Sequence, residues 1–228
     1  MRLSRLFTAS LLVLGLALTA CDSNTGLQTD TSKTEDAVIQ PVAETAQPAA
    51  TEKAAEEVAK PGNAAEQLTI TLKTGDVVIE LANDIAPQHA ARLKALADAG
   101  EYDNVAFHRV IDGFMAQTGD VEFGDMENGF VAARAGTGGS SDPDLKAEFS
   151  DVSFDRGVVG MARSQSPDSA NSQFFIMLAP GTFLNGQYTV VGKVVKGMEH
   201  VDKIKLGDAD NNGSVTDPDR MIKVRSGG

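Results

Sequence analysis

Residues 107–120 read Phe-His-Arg-Val-Ile-Asp-Gly-Phe-Met-Ala-Gln-Thr-Gly-Asp, which sets a cation, Arg109, and an amide, Gln117, among the core-forming Phe107, Val110, Ile111, Phe114 and Met115. A polar group carried into apolar surroundings needs a partner or a task. The task open to an arginine is electrostatic. Its planar fork is always charged and offers five N–H donors, so it can hold a polar group whose charge shifts during a reaction. The plainer reading is an arginine that snorkels to the surface or pairs with a carboxylate, and these residues alone leave both open.

Other chemistries find little support. There is no Gly-x-Ser-x-Gly elbow and no serine set by sequence beside a histidine with an orienting acid. The sole cysteine is Cys21, which excludes an intramolecular disulfide and a cysteine metal cluster. His89, His108 and His200 are far apart and lack metal-ligand spacing, and His108 is read as a satisfied core histidine. The glycine-rich run at residues 136–141 lacks the Gly-Lys-Ser/Thr ending of a phosphate loop. Asp208-Ala209-Asp210-Asn211-Asn212-Gly213, continued to Asp219, matches the opening of an EF-hand calcium loop. Pro218 and the strand-like residues after it argue instead for a solvated loop, so no metal and no cofactor are expected.

The elements that must position Arg109 are confined to part of the chain. Residues 1–20 carry Arg2 and Arg5 before an apolar run at 11–18, the layout of a secretory signal peptide, too short for a comfortable membrane span. The run ends Leu18-Thr19-Ala20-Cys21, which resembles the lipobox of bacterial lipoproteins and predicts lipidation of Cys21. Two or three acyl chains suffice for stable membrane anchoring. Residues 21–65 are rich in Thr, Ala, Glu, Gln, Ser and Pro and hold no aromatic, so they cannot bury enough surface to fold and read as a flexible tether. As a coil they would reach on the order of 35 to 40 Å.

From residue 66 the pattern is that of a folded domain running to 228. Leu68, Ile70 and Leu72 alternate with polar residues, Thr74-Gly75-Asp76 turns the chain, and Val77, Ile79 and Leu81 alternate again, a β-hairpin. Pro87 opens a helix whose apolar face is Ala90, Leu93, Leu96 and Ala97, and Gly100 ends it. Strand character returns over 102–118, broken at Asp112-Gly113, and again over 157–163, 172–178, 189–195 and 221–225, with a short helix over 197–205. Many short strands with two helices predict an all-β barrel. The net charge of −12 and pI near 4.6 speak against binding nucleic acid or anionic lipid surfaces nonspecifically.

Taken together, residues 107–120, 157–163 (Gly-Val-Val-Gly-Met-Ala-Arg), 172–176 (Ser-Gln-Phe-Phe-Ile) and 183–192 (Phe-Leu-Asn-Gly-Gln-Tyr-Thr-Val-Val-Gly) resemble the cyclophilin family of peptidyl-prolyl isomerases, over roughly residues 67–225. The resemblance implies a closed eight-stranded antiparallel barrel with two capping helices and a groove on its outer face. It implies Arg109 as the catalytic residue, with Phe114, Met115, Phe175 and Leu184 forming a proline pocket and Phe183 and Tyr188 at its edge. Gln117 and Gln173, with the backbone of Ala162 and Arg163, would hold the peptide main chain. Phe183 stands where many members carry tryptophan, whose indole N–H phenylalanine cannot replace, so weak cyclosporin binding is expected. Arg163 and Tyr188 stand where members often have asparagine and histidine, which leaves substrate preference open. The expected protein is a monomeric, lipid-anchored isomerase of the bacterial cell envelope facing the periplasm, in either membrane, acting on proline-containing polypeptides. Rival readings are a proline-binding holdase and a calcium-regulated envelope protein.

Overall fold

The structure, a computed structural model, describes residues 66–227. The leader, Cys21 and the tether lie outside the described residues. Strand β1 (Gln67–Leu72) and strand β2 (Gly75–Leu81) form the expected hairpin, with Leu68, Ile70, Leu72, Val77, Ile79 and Leu81 all turned into the core. The turn is one residue earlier than the pattern implied. Leu72 pairs with Gly75, so Lys73 and Thr74 make the loop, and Gly75, at φ +140°, already belongs to β2.

Helix α1 (Pro87–Ala99) opens on proline and ends at Gly100, whose left-handed φ of +79° lets its N–H reach back to Ala97 O while Glu101 N bonds Leu96 O. Its first turn has no local side-chain cap. Glu148, some sixty residues away, supplies one by accepting from the backbone N–H of Gln88 and His89 at 3.1 Å each.

The remaining strands are short: β3 (Arg109–Ile111), β4 (Met115–Thr118), β5 (Val158–Met161), β6 (Phe174–Met177), β7 (Val190–Lys196) and β8 (Lys223–Gly227). The predicted strand over 102–118 is broken where expected: Gly113 takes φ +63°, and Phe114 N bonds Ile111 O. The predicted helix over 197–205 contracts to α2 (Met198–Val201), extended only by the turn bonds Lys203 N to His200 O and Ile204 N to Val201 O.

The strands form one antiparallel sheet in the order β3-β4-β6-β5-β7-β2-β1-β8. It is an open, strongly curled half-barrel and not the closed barrel expected, because β3 and β8 share no ladder. β3 has only three residues, and the chain ahead of each edge strand makes single bridges in place of a strand pair. Asn104 N bonds Met221 O, Met221 N bonds Val105 O and Phe107 N bonds Asp219 O, which ties the two edges without continuing the sheet.

Alternation along β4 and β6 explains how a site forms outside the main core. Ala116, Phe174 and Ile176 belong to the main core, whereas Met115, Phe175 and Met177 point to the opposite face and join a second cluster with Phe154, Val158, Leu184 and Val190. These strands are therefore buried on both faces. Gly160 sits between two rings of this cluster. A Cβ there would lie 2.4 Å from Phe175 and 2.6 Å from Phe154, so only glycine lets Phe175 stack on Phe154 at 5.8 Å.

Candidate active site

The antiparallel register of β3 and β4 sets Arg109 opposite Gln117 and Ile111 opposite Met115, and β4 in turn sets Gln117 opposite Phe175 of β6. Side chains two apart share a face, so one short stretch of sheet gathers a guanidinium, an amide, a thioether and a phenyl ring. They line a cavity of about 250 Å³ together with Phe114, Ala162, Arg163, Phe183, Leu184 and Tyr188. All but one of the predicted catalytic and substrate-binding residues meet there. The exception, Gln173, lines an adjoining polar cavity of about 520 Å³, which shares the wall formed by Gln117, Ala162 and Arg163.

The apolar residues differ in depth. Met115, Phe175 and Leu184 are buried, whereas Phe183 is 65% exposed and lies against Phe114, ring centroids 5.5 Å apart, as a rim. Tyr188 meets Phe175 edge-on at 5.9 Å. The floor is thus fixed by packing, whereas the Phe183 rim stands open to solvent.

Arg109 is held from behind. Its Nε donates to the backbone oxygen of Asn212 at 2.9 Å and its Nη2 to the Asn212 side-chain Oδ1 at 3.0 Å. Nη1 reaches Gln117 Oε1 at 3.3 Å. Nη1 also contacts the Met115 sulfur at 4.0 Å, so of the five N–H groups one, on Nη2, is left without a protein contact. No carboxylate among the described residues pairs with this guanidinium. Partial burial lowers its pKa from the usual arginine range, the Tyr188 ring opposing, and the group keeps its charge.

The polar wall continues as a relay. Gln117 Nε2 donates to Gln173 Oε1 at 3.0 Å, and Gln173 Nε2 donates to Gly138 O at 2.8 Å. Gly138 belongs to the glycine-rich loop, which buried Asp120 pins in place. One Asp120 oxygen accepts from Glu122 N and Phe123 N, the other from Gly136 N and Gly138 N at 2.7 and 3.0 Å. Asn171 holds the same loop through Ser140, accepting from its N–H at 2.7 Å.

Three residues behave differently from their sequence reading. Asn212, part of the calcium-like motif, proves to be the clamp on Arg109. The Asn-Gly pair at 212–213 was its one local signal, since Asn212 takes the left-handed φ of +52° that asparagine tolerates. Asp219, the motif's last position, is committed elsewhere, accepting from Lys205 N at 2.9 Å and pairing with Lys73. His108 is buried as expected, yet neither ring nitrogen has a protein partner, and burial lowers its pKa despite the nearby Asp120 carboxylate. Among the described residues no group of three or more His, Cys, Asp or Glu is placed to hold a metal.

Comparison with known proteins points one way. The family model described as cyclophilin type peptidyl-prolyl cis-trans isomerase/CLD matches residues 67–226. A "Probable peptidyl-prolyl cis-trans isomerase" of Brucella suis is 65% identical over 155 residues, spanning 68% of this chain and 79% of its own. The peptidyl-prolyl cis-trans isomerase of Acinetobacter baylyi is 39% identical over 143 residues, 59% of this chain and 70% of its own. Among solved structures, a cyclophilin-type isomerase of Cryptosporidium parvum, determined in the presence of the dipeptide Ala-Pro, superposes with TM-score 0.61 at 27% identity, covering 71% of this chain and 99% of its own. A cyclophilin from Hirschia baltica superposes with TM-score 0.56 at 25% identity, over 69% and 72%.

Proposed function

The chain belongs to the cyclophilin-type peptidyl-prolyl cis-trans isomerases, and on that premise we propose that Arg109 acts on the prolyl amide of extracytoplasmic proteins as they fold. The barrier to be lowered, about 18–20 kcal/mol, comes from amide conjugation. No bond is made or broken, and no proton need move. Rotation quickens when a donor draws the nitrogen lone pair out of conjugation or when the twisted amide is held in a site fitted to it.

The observation that carries this reading is a charged fork with no carboxylate partner among the described residues and one N–H of Nη2 unengaged, on the wall of a cavity of about 250 Å³. The cavity takes the proline ring against Phe114, Met115, Phe175 and Leu184, as the Ala-Pro dipeptide used with the Cryptosporidium relative suggests for the substrate class. Gln117 and Gln173, already linked to each other, face the peptide main chain along the shared wall. One such donor aimed at the transition state contributes about 3 to 4 kcal/mol, and the rest comes from binding and orienting the flanking residues.

The place of action follows from the leader. A signal peptide at residues 1–20, a lipidated Cys21 and a tether over 21–65 would hold the domain at the cell envelope, facing the periplasm, as a monomer. Labelled palmitate incorporated by the wild type and lost in Cys21→Ala supports the anchor; equal labelling of both overturns it. The catalytic reading is tested by cis-to-trans isomerisation of an X-Pro peptide. Acceleration supports it, and peptide binding without acceleration makes the domain a proline-binding holdase.

A further inference from the structure

The wall shared by the two cavities carries a charge that the isomerisation itself does not use. The charged side chains lining the cavities are Arg109, Arg163 and Asp144. Arg109 is assigned to the amide, and Asp144 lines only the larger cavity, where Asn171 Nδ2 donates to it at 3.0 Å. Arg163 lines both, at the point where the apolar cavity passes into the polar one.

Its side chain is fixed by neutral groups. Nε and Nη2 donate to Gln187 O at 3.2 and 3.1 Å, and Nη1 donates to Ser164 O at 2.9 Å and Gln165 O at 3.2 Å. The guanidinium lies over the Tyr188 ring, 4.5 Å from its centroid. Carbonyl groups and a ring orient a cation without cancelling it. Among the described residues no Asp or Glu pairs with Arg163, and one Nη2 N–H remains unengaged. A long, rotamer-rich side chain held in this way has lost little further freedom when it meets a ligand.

We propose that Arg163 makes the enzyme selective for X-Pro bonds in which X carries a carboxylate. The inference rests on the isomerase reading given above. With proline in the apolar cavity, the residue before it crosses the wall of Ala162 and Arg163, and an acidic side chain there meets an oriented and uncompensated cation. The chain as a whole carries a net charge of −12, which draws basic peptides to it. A preference for an acidic one therefore requires a local cation that outweighs the global field.

The test is kcat/KM of the full chain on Ala-Xaa-Pro-Phe peptides with Xaa as Glu, Gln or Lys, at low and high ionic strength. Glu should exceed Gln by about fivefold, the scale of one solvent-exposed charge pair near 4 Å, and Lys should fall below Gln. The Glu-to-Gln ratio should shrink as salt rises. Arg163→Gln should bring that ratio to about one, Arg163→Lys should keep part of it, and Arg163→Glu should reverse it. Ratios are taken within each variant, so a general loss of turnover from a disturbed wall cancels. Equal rates for Glu and Gln in the wild type overturn the selectivity and leave the isomerase standing. A Glu preference that survives in Arg163→Gln overturns it too, by placing the cause elsewhere. Failure to accelerate any of the three peptides overturns the isomerase reading and this inference with it.

Discussion

Asn212→Gly separates the clamp on Arg109 from the fold that carries it. Asn212 grips the guanidinium twice, by its backbone oxygen at 2.9 Å and its side-chain Oδ1 at 3.0 Å. Glycine keeps the first contact and accepts the left-handed φ of +52° without strain, so only the second is lost. Hydrogen bonds to a charged group contribute about 1.5–3 kcal/mol when buried. Asn212 is exposed and Arg109 half-buried, so a loss near 1 kcal/mol is expected, equal to about fivefold in rate. Because the loss is one of aim, kcat should carry it while KM stays within about twofold. Asn212→Ala is the control. It loses the same contact and adds about 1–2 kcal/mol of left-handed backbone cost to folding, so its kcat should match the glycine variant while its melting temperature falls further. The assay is peptide isomerisation beside thermal unfolding of all three proteins. A glycine variant with wild-type kcat, or one whose loss lies wholly in KM, would refute the clamp.

Three other perturbations probe different parts of the molecule. Gly160→Ala forces a methyl to within 2.4 Å of the Phe175 ring; overpacking of this kind costs about 1–3 kcal/mol, and denaturant unfolding should show that loss together with a raised KM as Phe175 leaves the cavity floor. Burial works against the Glu148 carboxylate, but its bonds to the His89 ring and to the first N–H groups of α1 prevail and hold its pKa below the usual carboxylate range. A depressed pKa stabilises the fold above the unfolded value, and that stability is lost as pH falls through the folded one; Glu148→Gln should therefore be less stable than wild type at neutral pH, with the gap closing as pH drops below about 4.5, and a constant gap contradicts the role. Phe183→Trp places an indole N–H at a rim position already 65% exposed; cyclosporin, expected to bind the wild type weakly, should bind the variant more tightly, with isomerisation retained, and unchanged affinity in isothermal titration contradicts this.

What the sequence revealed is what local physics controls. The alternation of Leu68, Ile70 and Leu72 with their neighbours, and the Pro87 and Gly100 bounds of α1, are signals within a few residues, and the structure realises them. The spacing of Arg109, Phe114, Met115 and Gln117 could also be read, because the hairpin between β3 and β4 brings neighbours in sequence together. Partners that meet only after folding were not visible. Asn212 clamps an arginine 103 positions away, and Glu148 caps a helix whose N-terminus lies about sixty positions earlier. The final strand begins at Lys223, not at 221, because Met221 is already bonded to Asn104 and Val105. That same long-range pairing explains the open seam. Residues 104–107 and 219–221 bridge the edges, and no periodicity in either segment announces it.

The central claim is that the guanidinium of Arg109 lowers the rotation barrier. Its most direct test is cis-to-trans isomerisation of a short X-Pro peptide by the wild type, Arg109→Ala and Arg109→Lys, with peptide affinity and melting temperature measured in parallel. The account predicts that Arg109→Ala, still folded and still binding peptide, loses at least about tenfold in kcat/KM, or 1.4 kcal/mol. It predicts that Arg109→Lys recovers little, because an ammonium has no fork for Asn212 and Gln117 to aim. Wild-type rates in a folded Arg109→Ala would contradict it.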